Sequence, residues 1–213
     1  MIKSFVFDVD GVLVDSKDAL ARAYSEALQA TGMPDVPLEK ISMCMGMELH
    51  EWARNIVPRE QRSDDKLILK ISQEVVKRYE GGYVETAGLY PDVKSALESL
   101  QQEGYTLGVA TNNIHDTAMG LLARLDILRF FDVVSTLTES KRPKPEPDIV
   151  LYALEKLECD TTSVVFVGDS PTDMIAGQKA GVKTVLVNRA WNAGYSQELR
   201  VDSLLELSKI AKE

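Results

Sequence analysis

Phe5-Val6-Phe7-Asp8-Val9-Asp10-Gly11-Val12-Leu13 is the stretch on which the fold turns. An apolar run of this kind, closed by a glycine, predicts a buried strand running into a tight turn. Strand side chains repeat every second residue, so Asp8 and Asp10 are expected on one face. Two carboxylates that close repel each other and lose hydration unless a cation or hydrogen-bond donors compensate. A divalent cation is the simplest compensation. The ordinary alternative is a strand end with solvated turn acids.

Outward from this stretch, strands and helices alternate. Apolar strands are expected at 106–110, 132–135, 164–168 and 184–187, with helices at 92–103, around 121–125, from Ile149 to Leu157, around 174–180 and near 204–210. Near-continuous apolar strands separated by helices predict an α/β fold with a doubly wound parallel sheet. Residues 16–84 carry helical spacing and no convincing strand. They are expected to form an inserted all-helical unit, with the core made of residues 1–15 and 85–213. Hinges are expected near Val14–Ser16 and Val84–Leu89. The insert should stand above the carboxyl ends of the strands, where such sheets bind ligands.

The 213 residues are 45% hydrophobic and 27% charged, which suits one large soluble domain, or one domain with an insert. No apolar segment has the length of a bilayer span, and Met1–Ser4 shows no signal-peptide pattern. A net charge of −9 argues against nucleic acid or an anionic membrane as partner. Cys44 and Cys159 lack the spacing of a zinc site or disulfide framework, so a cytoplasmic protein is expected. His50 and His115 stand far apart and read as surface or cap residues. Gly177, Gly181, Lys183 and Thr184 echo a phosphate-binding P-loop only loosely, since they lead from a helix into a strand.

Polar chemistry gathers at strand ends: Asp8 and Asp10 after the first, Thr111 and Asn112 after the second, Asp169 and Asp173 after the fourth. Lys144 lies in the proline-studded loop 141–147, with Lys141 and Arg142 as rivals for its role. Acids, a hydroxyl, an amide and an ammonium in one crevice suit metal-assisted phosphoryl transfer. Thr111 could instead cap a helix, and Asp173 could simply favour a helix N-terminus.

Phe5–Asp15, the Thr111 element, Lys144-Pro145 and Gly168-Asp169-Ser170-x-x-Asp173 together resemble, in order and spacing, the four motifs of the haloacid dehalogenase superfamily. Each alone is weak; the four together are specific. The resemblance implies a Rossmann-like core with a C1-type cap, similar to phosphoglycolate-phosphatase-like members. It implies a phosphoric monoester hydrolase dependent on Mg²⁺, acting on a small phosphorylated metabolite as a monomer or homodimer. Asp8 would be the nucleophile, carrying an aspartyl-phosphate. Asp10 would serve as acid and then base. Asp8, the Asp10 carbonyl and Asp169 would hold Mg²⁺, with Asp173 supporting. Thr111, Asn112 and Lys144 would bind phosphate.

Asp10 favours phosphoryl chemistry over dehalogenation, which needs no leaving-group acid there. Sugar phosphomutases and phosphonoacetaldehyde hydrolases of similar build place lysines near the Met45-Gly46 pair, where this chain has none. A non-catalytic protein retaining the fold is the alternative of another class. Gly46, Met47 and Trp52 are candidates for the wall that selects substrate, with Met43 and Met45 adding apolar character. The sulfur-rich cluster around Cys44 could suggest copper, though adaptable thioether packing is the ordinary expectation.

Overall fold

The structure is a computed structural model that describes residues 1–44, 47–140, 142–189, 192, 194–197 and 199–212, apart from the side chains of Glu80 and Tyr83. Met45, Gly46 and Lys141, singled out above, lie outside the described residues.

In chain order the elements begin with β1 (Ser4–Phe7), β2 (Val14–Asp15), α1 (Lys17–Ala30), α2 (Leu38–Ser42), α3 (Leu49–Ile56) and α4 (Asp65–Glu80). There follow β3 (Gly88–Leu89), α5 (Val93–Gln102), β4 (Thr106–Ala110), α6 (His115–Arg124), β5 (Val133–Ser135) and α7 (Asp148–Lys156). The chain closes with β6 (Val164–Gly168), α8 (Pro171–Ala180), β7 (Lys183–Val187), β8 (Arg200–Val201) and α9 (Leu207–Ile210). No helix among the described residues is long and apolar enough to cross a membrane.

Six strands form one parallel sheet in the order β5-β4-β1-β6-β7-β8. β1 is therefore central, with Phe7 opposite Val109 on one side and Val167 on the other. Chain connections diverge to either side of β1, which makes its carboxyl end the switch point of a doubly wound sheet. Val6 packs in a cluster with Ile149, Ala153, Phe166 and Ala176, contributed by β6, α7 and α8. By alternation Phe5 and Phe7 point the other way, edge-on to Tyr105 and Phe131. Helices cover both faces, so β1, β4 and β6 are apolar almost throughout rather than alternating.

The chain divides into two compact units, Met1–Val14 with Leu89–Glu213, and Asp15–Gly88. It passes between them through the two-stranded ribbon of β2 and β3. The second unit is helical. There α1 packs on α4, the Glu48 side chain caps α3 by accepting from the His50 and Glu51 amides, and Trp52 stacks on Tyr24 with ring centroids 4.3 Å apart. Trp52 is only 4% exposed. Of the three residues named for a substrate-facing wall, Trp52 is thus buried against Tyr24, Met47 is exposed and Gly46 lies outside the described residues. Met43 and Met47 are exposed.

Two expectations about local structure change. The first strand ends at Phe7, because the main chain turns there: Leu13 and Val14 amides donate back to the Val9 carbonyl, and Gly11 donates to Val14. Asp8 still follows β1 in register with β6 while Asp10 lies in the turn, so strand alternation does not relate their directions. The two-residue β8 is an added strand with too little sequence to show a period.

Packing of α8 on the sheet yields a test. Gly-to-Ala changes inside helices ordinarily stabilise by about 0.5–1 kcal/mol. At Gly177 a Cβ would lie 2.4 Å from Thr184 Cγ2 and 3.0 Å from Phe166 Cδ1. Overpacking of this kind costs about 1–3 kcal/mol and should win. Gly177→Ala is expected to lower the urea midpoint; an unchanged or raised midpoint would show that α8 is not pressed against β6 and β7.

Candidate active site

The carboxyl ends of β1, β4 and β6 bring Asp8, Thr111 and Asp169 to neighbouring positions. Asp8 leaves β1 with its amide still donating to the Val167 carbonyl at 2.9 Å, which holds it in register with β6. Its Oδ1 lies 2.7 Å from Lys144 Nζ. The same ammonium reaches Asp173 Oδ1 at 2.6 Å and the Ala110 carbonyl at 3.0 Å, so its three protons are all engaged. Lys144 is 2% exposed. Of its rivals, Arg142 is exposed and paired with Asp148.

Asn112 explains how a lysine in a proline-rich loop comes to be buried. Its Oδ1 accepts from the Lys144 amide at 2.8 Å and its Nδ2 donates to the Lys144 carbonyl at 3.3 Å. The Asn112 side chain thereby clasps the lysine's backbone from both sides, with one Nδ2 proton and its Oδ1 engaged there. Thr111 is buried, and its Oγ1 accepts from the Asn113 amide at 3.2 Å. It does not cap α6, whose N-cap position is Ile114.

Asp173 is held rigidly. With Ser170 it forms a capping box at the start of α8, its Oδ2 accepting from the Ser170 amide at 3.1 Å and from the Ser170 hydroxyl. Asp169 is fully buried, and its carboxylate lies against Gly11: a Cβ there would meet Asp169 Oδ2 at 2.2 Å. Gly11 also has φ +86°, so glycine is required on two counts. Asp10 is half-buried, its Oδ2 accepting from Asn113 Nδ2 at 2.7 Å. Asn113 is a site residue that the sequence pattern did not single out. The only local signal was its place in Thr111-Asn112-Asn113, where either amide could have been chosen.

Charge dominates this crevice. Burial raises the pKa of Asp8 to about 7; Lys144 pulls it down, and Asp173 and Asp10 push it up. For Lys144 burial acts downward, but the Asp173 and Asp8 carboxylates outweigh it and hold the ammonium well above its usual range. Asp8, Asp169 and Asp173 each offer an oxygen within 4.8 Å of the others. Three buried carboxylates against one ammonium leave negative charge that a small divalent cation would balance. The donors are all hard oxygens, which suits Mg²⁺.

Residues 5–187 match the family model described as haloacid dehalogenase-like hydrolase. A phosphoglycolate phosphatase of Aliivibrio fischeri is 32% identical, covering 91% of this chain and 87% of its own length. The pyrophosphatase PpaX of Bacillus velezensis is 31% identical, with 93% and 88% covered. Among solved structures, a predicted phosphoglycolate phosphatase from Haemophilus somnus superposes with a TM-score of 0.86 at 24% identity, covering 98% and 97% of the two chains. A β-phosphoglucomutase from Clostridium difficile gives 0.83 at 21% identity, covering 100% and 96%. At these identities the solved structures speak for the fold alone. The four motifs, the parallel sheet that carries them and a match over residues 5–187 lead to one assignment: the chain belongs to the haloacid dehalogenase-like hydrolase family.

Proposed function

We propose that this protein is a Mg²⁺-dependent phosphatase of small phosphomonoesters that works through an aspartyl-phosphate. The observation that carries the reading is the buried cluster in which Lys144 bridges Asp8 and Asp173 beside Asp169. The phosphoglycolate phosphatase and pyrophosphatase relatives support phosphoryl chemistry, and make phosphoglycolate the first substrate to try.

In this reading Asp8, Asp169 and the Asp10 carbonyl hold Mg²⁺, with Asp173 in support. When bound, the cation neutralises charge between the carboxylate and the phosphate dianion. An oxygen of Asp8 forms a bond to phosphorus as the ester P–O bond breaks, and the electron pair leaves on the ester oxygen. The Asp10 carboxyl gives that oxygen its proton. Asn113, donating to Oδ2, orients that carboxyl. Water then loses a proton to Asp10 and attacks phosphorus, and the bond to Asp8 breaks with its electron pair returned to the carboxylate. Lys144 and the main-chain amides beside Thr111 balance charge on the transferring group. The helical residues 16–84 act as the cap that selects substrate, with Met43 and Met47 supplying apolar surface.

Hydrolysis of p-nitrophenyl phosphate with and without Mg²⁺ tests the reading. Turnover is expected with Mg²⁺, to vanish in EDTA, and to return when Mg²⁺ is restored in excess. Equal rates in EDTA would overturn the cation's part, and a protein inert toward phosphoglycolate and p-nitrophenyl phosphate with Mg²⁺ would overturn the phosphatase reading.

A further inference from the structure

The segment after β7 reaches both acid-bearing loops through two side chains. Arg189 donates from Nε to the Gly11 carbonyl at 2.7 Å and from Nη2 to the Val12 carbonyl at 2.9 Å. Its remaining arm reaches the Asn188 carbonyl at 3.2 Å, and its guanidinium stacks on Tyr90 with Cζ 3.7 Å from the ring centroid. Asn192 is fully buried and donates from Nδ2 to the carbonyls of Asp169 and Val187, each at 2.7 Å. The two are locked together, since Asn192 Oδ1 accepts from the Arg189 amide at 2.8 Å.

Each contact has a chemical reason. The turn after Asp10 points carbonyl oxygens inward, where no strand partner can meet them, and buried acceptors need donors. A guanidinium can serve two adjacent carbonyls and still stack on an aromatic face; an ammonium offers no such fork. At Asn192 the amide supplies both the donor that Asp169 and Val187 need and the acceptor that Arg189 needs. A carboxyl side chain there would set oxygen against two carbonyl oxygens.

The geometry points to Arg189 and Asn192 as positioning residues that brace the acid cluster. Arg189 fixes the main chain next to Asp10, Asn192 fixes that of Asp169, and the bond between them couples the two loops. Neither places its side chain on the Asp8 carboxylate or on Lys144. The catalytic consequence rests on the phosphatase reading; the brace itself does not.

Arg189→Lys and Asn192→Ser test it, with hydrogen exchange followed by mass spectrometry, Mg²⁺ binding by calorimetry, and p-nitrophenyl phosphate kinetics. Supporting groups of this sort are worth about 10- to 100-fold in metal affinity or activity. Arg189→Lys should lower kcat by about that factor with KM within about twofold. Asn192→Ser should weaken Mg²⁺ binding by a similar factor. Exchange should quicken in segments 8–14 and 167–173 and stay as in the wild type over 93–110. A general structural role would instead speed exchange in all three segments and leave kcat per folded molecule and Mg²⁺ affinity unchanged, which would overturn the proposal. A wild-type protein inert toward phosphoesters would sink only the phosphatase reading. The exchange pattern would then decide the brace, and unaltered exchange at 8–14 and 167–173 would end it.

Discussion

Asp8→Asn is expected to cut turnover of any phosphomonoester substrate by roughly four orders of magnitude or more, the scale seen when an attacking group is removed, while leaving the protein folded. The amide has nearly the carboxylate's shape and can still accept from Lys144 at the Oδ1 position, but it cannot form the bond to phosphorus. Its effect on stability has a definite sign. Burial raises the folded-state pKa of Asp8 from 3.8 to about 7. A carboxyl raised in this way favours folding most at pH below 3.8, and that contribution is lost as pH climbs toward about 7. The neutral amide undergoes no such loss. In EDTA the variant should therefore gain on the wild type between pH 4 and pH 8, as read by thermal melts across that range. Activity at one hundredth of the wild-type rate or above would place the attacking group elsewhere. A variant that gains on the wild type as pH falls would show that Asp8 is ionised more easily in the fold than in the unfolded chain.

What the sequence disclosed follows from where its signals are local. β4 and β6 have the bounds expected from their apolar runs, because a strand covered on both faces needs apolar residues almost throughout. The right-handed crossovers that alternating strands and helices demand reduce the possible strand orders to a few but select none of them, so the central place of β1 is read only from the structure. β1 was legible as a strand but not in its length, since the turn that ends it is made by main-chain bonds between Val9 and Val14 and only Gly11 marks it in the sequence. Lys144 shows the limit on the site. Nothing in Lys144-Pro145 announces a lysine that is 2% exposed; its burial depends on Asn112, 32 positions earlier, grasping its backbone. Asn113, Arg189 and Asn192 were silent for the same reason. The partners that bring them to the site, the Asp10 carboxylate and the carbonyls of Gly11, Val12 and Asp169, lie far along the chain, and such pairings leave no period and no motif. The stack of Trp52 on Tyr24, 28 positions earlier, was equally silent, since an aromatic beside a methionine cluster does not name its ring partner.

Lys144→Met is the substitution expected to cost most in stability. The thioether has about the volume of the lysine stem, so packing over the Phe166 ring survives and the missing charge is isolated. Removing one partner of a buried ion pair costs about 3–5 kcal/mol, because the other is left charged and dry. Here two carboxylates lose their shared ammonium, and the Ala110 carbonyl loses a donor. Asp8 also loses the attraction that holds its pKa down, so its pKa rises further above 3.8. The metal-free variant should consequently be weakest at high pH and recover as pH falls toward 4, where Asp8 accepts a proton. Mg²⁺ should do what the proton does: the increase in melting temperature on adding it should be larger in the variant than in the wild type. Asp8→Asn placed on top of Lys144→Met should restore part of the stability, which a double-mutant cycle reads as a favourable coupling between the two residues. Turnover should stay low in both, since the charge balancing the transferring phosphoryl group is gone. Equal melting temperatures for wild type and Lys144→Met in EDTA at pH 8 would mean that the ammonium does not hold these acids together, and the site would have to be rebuilt without it.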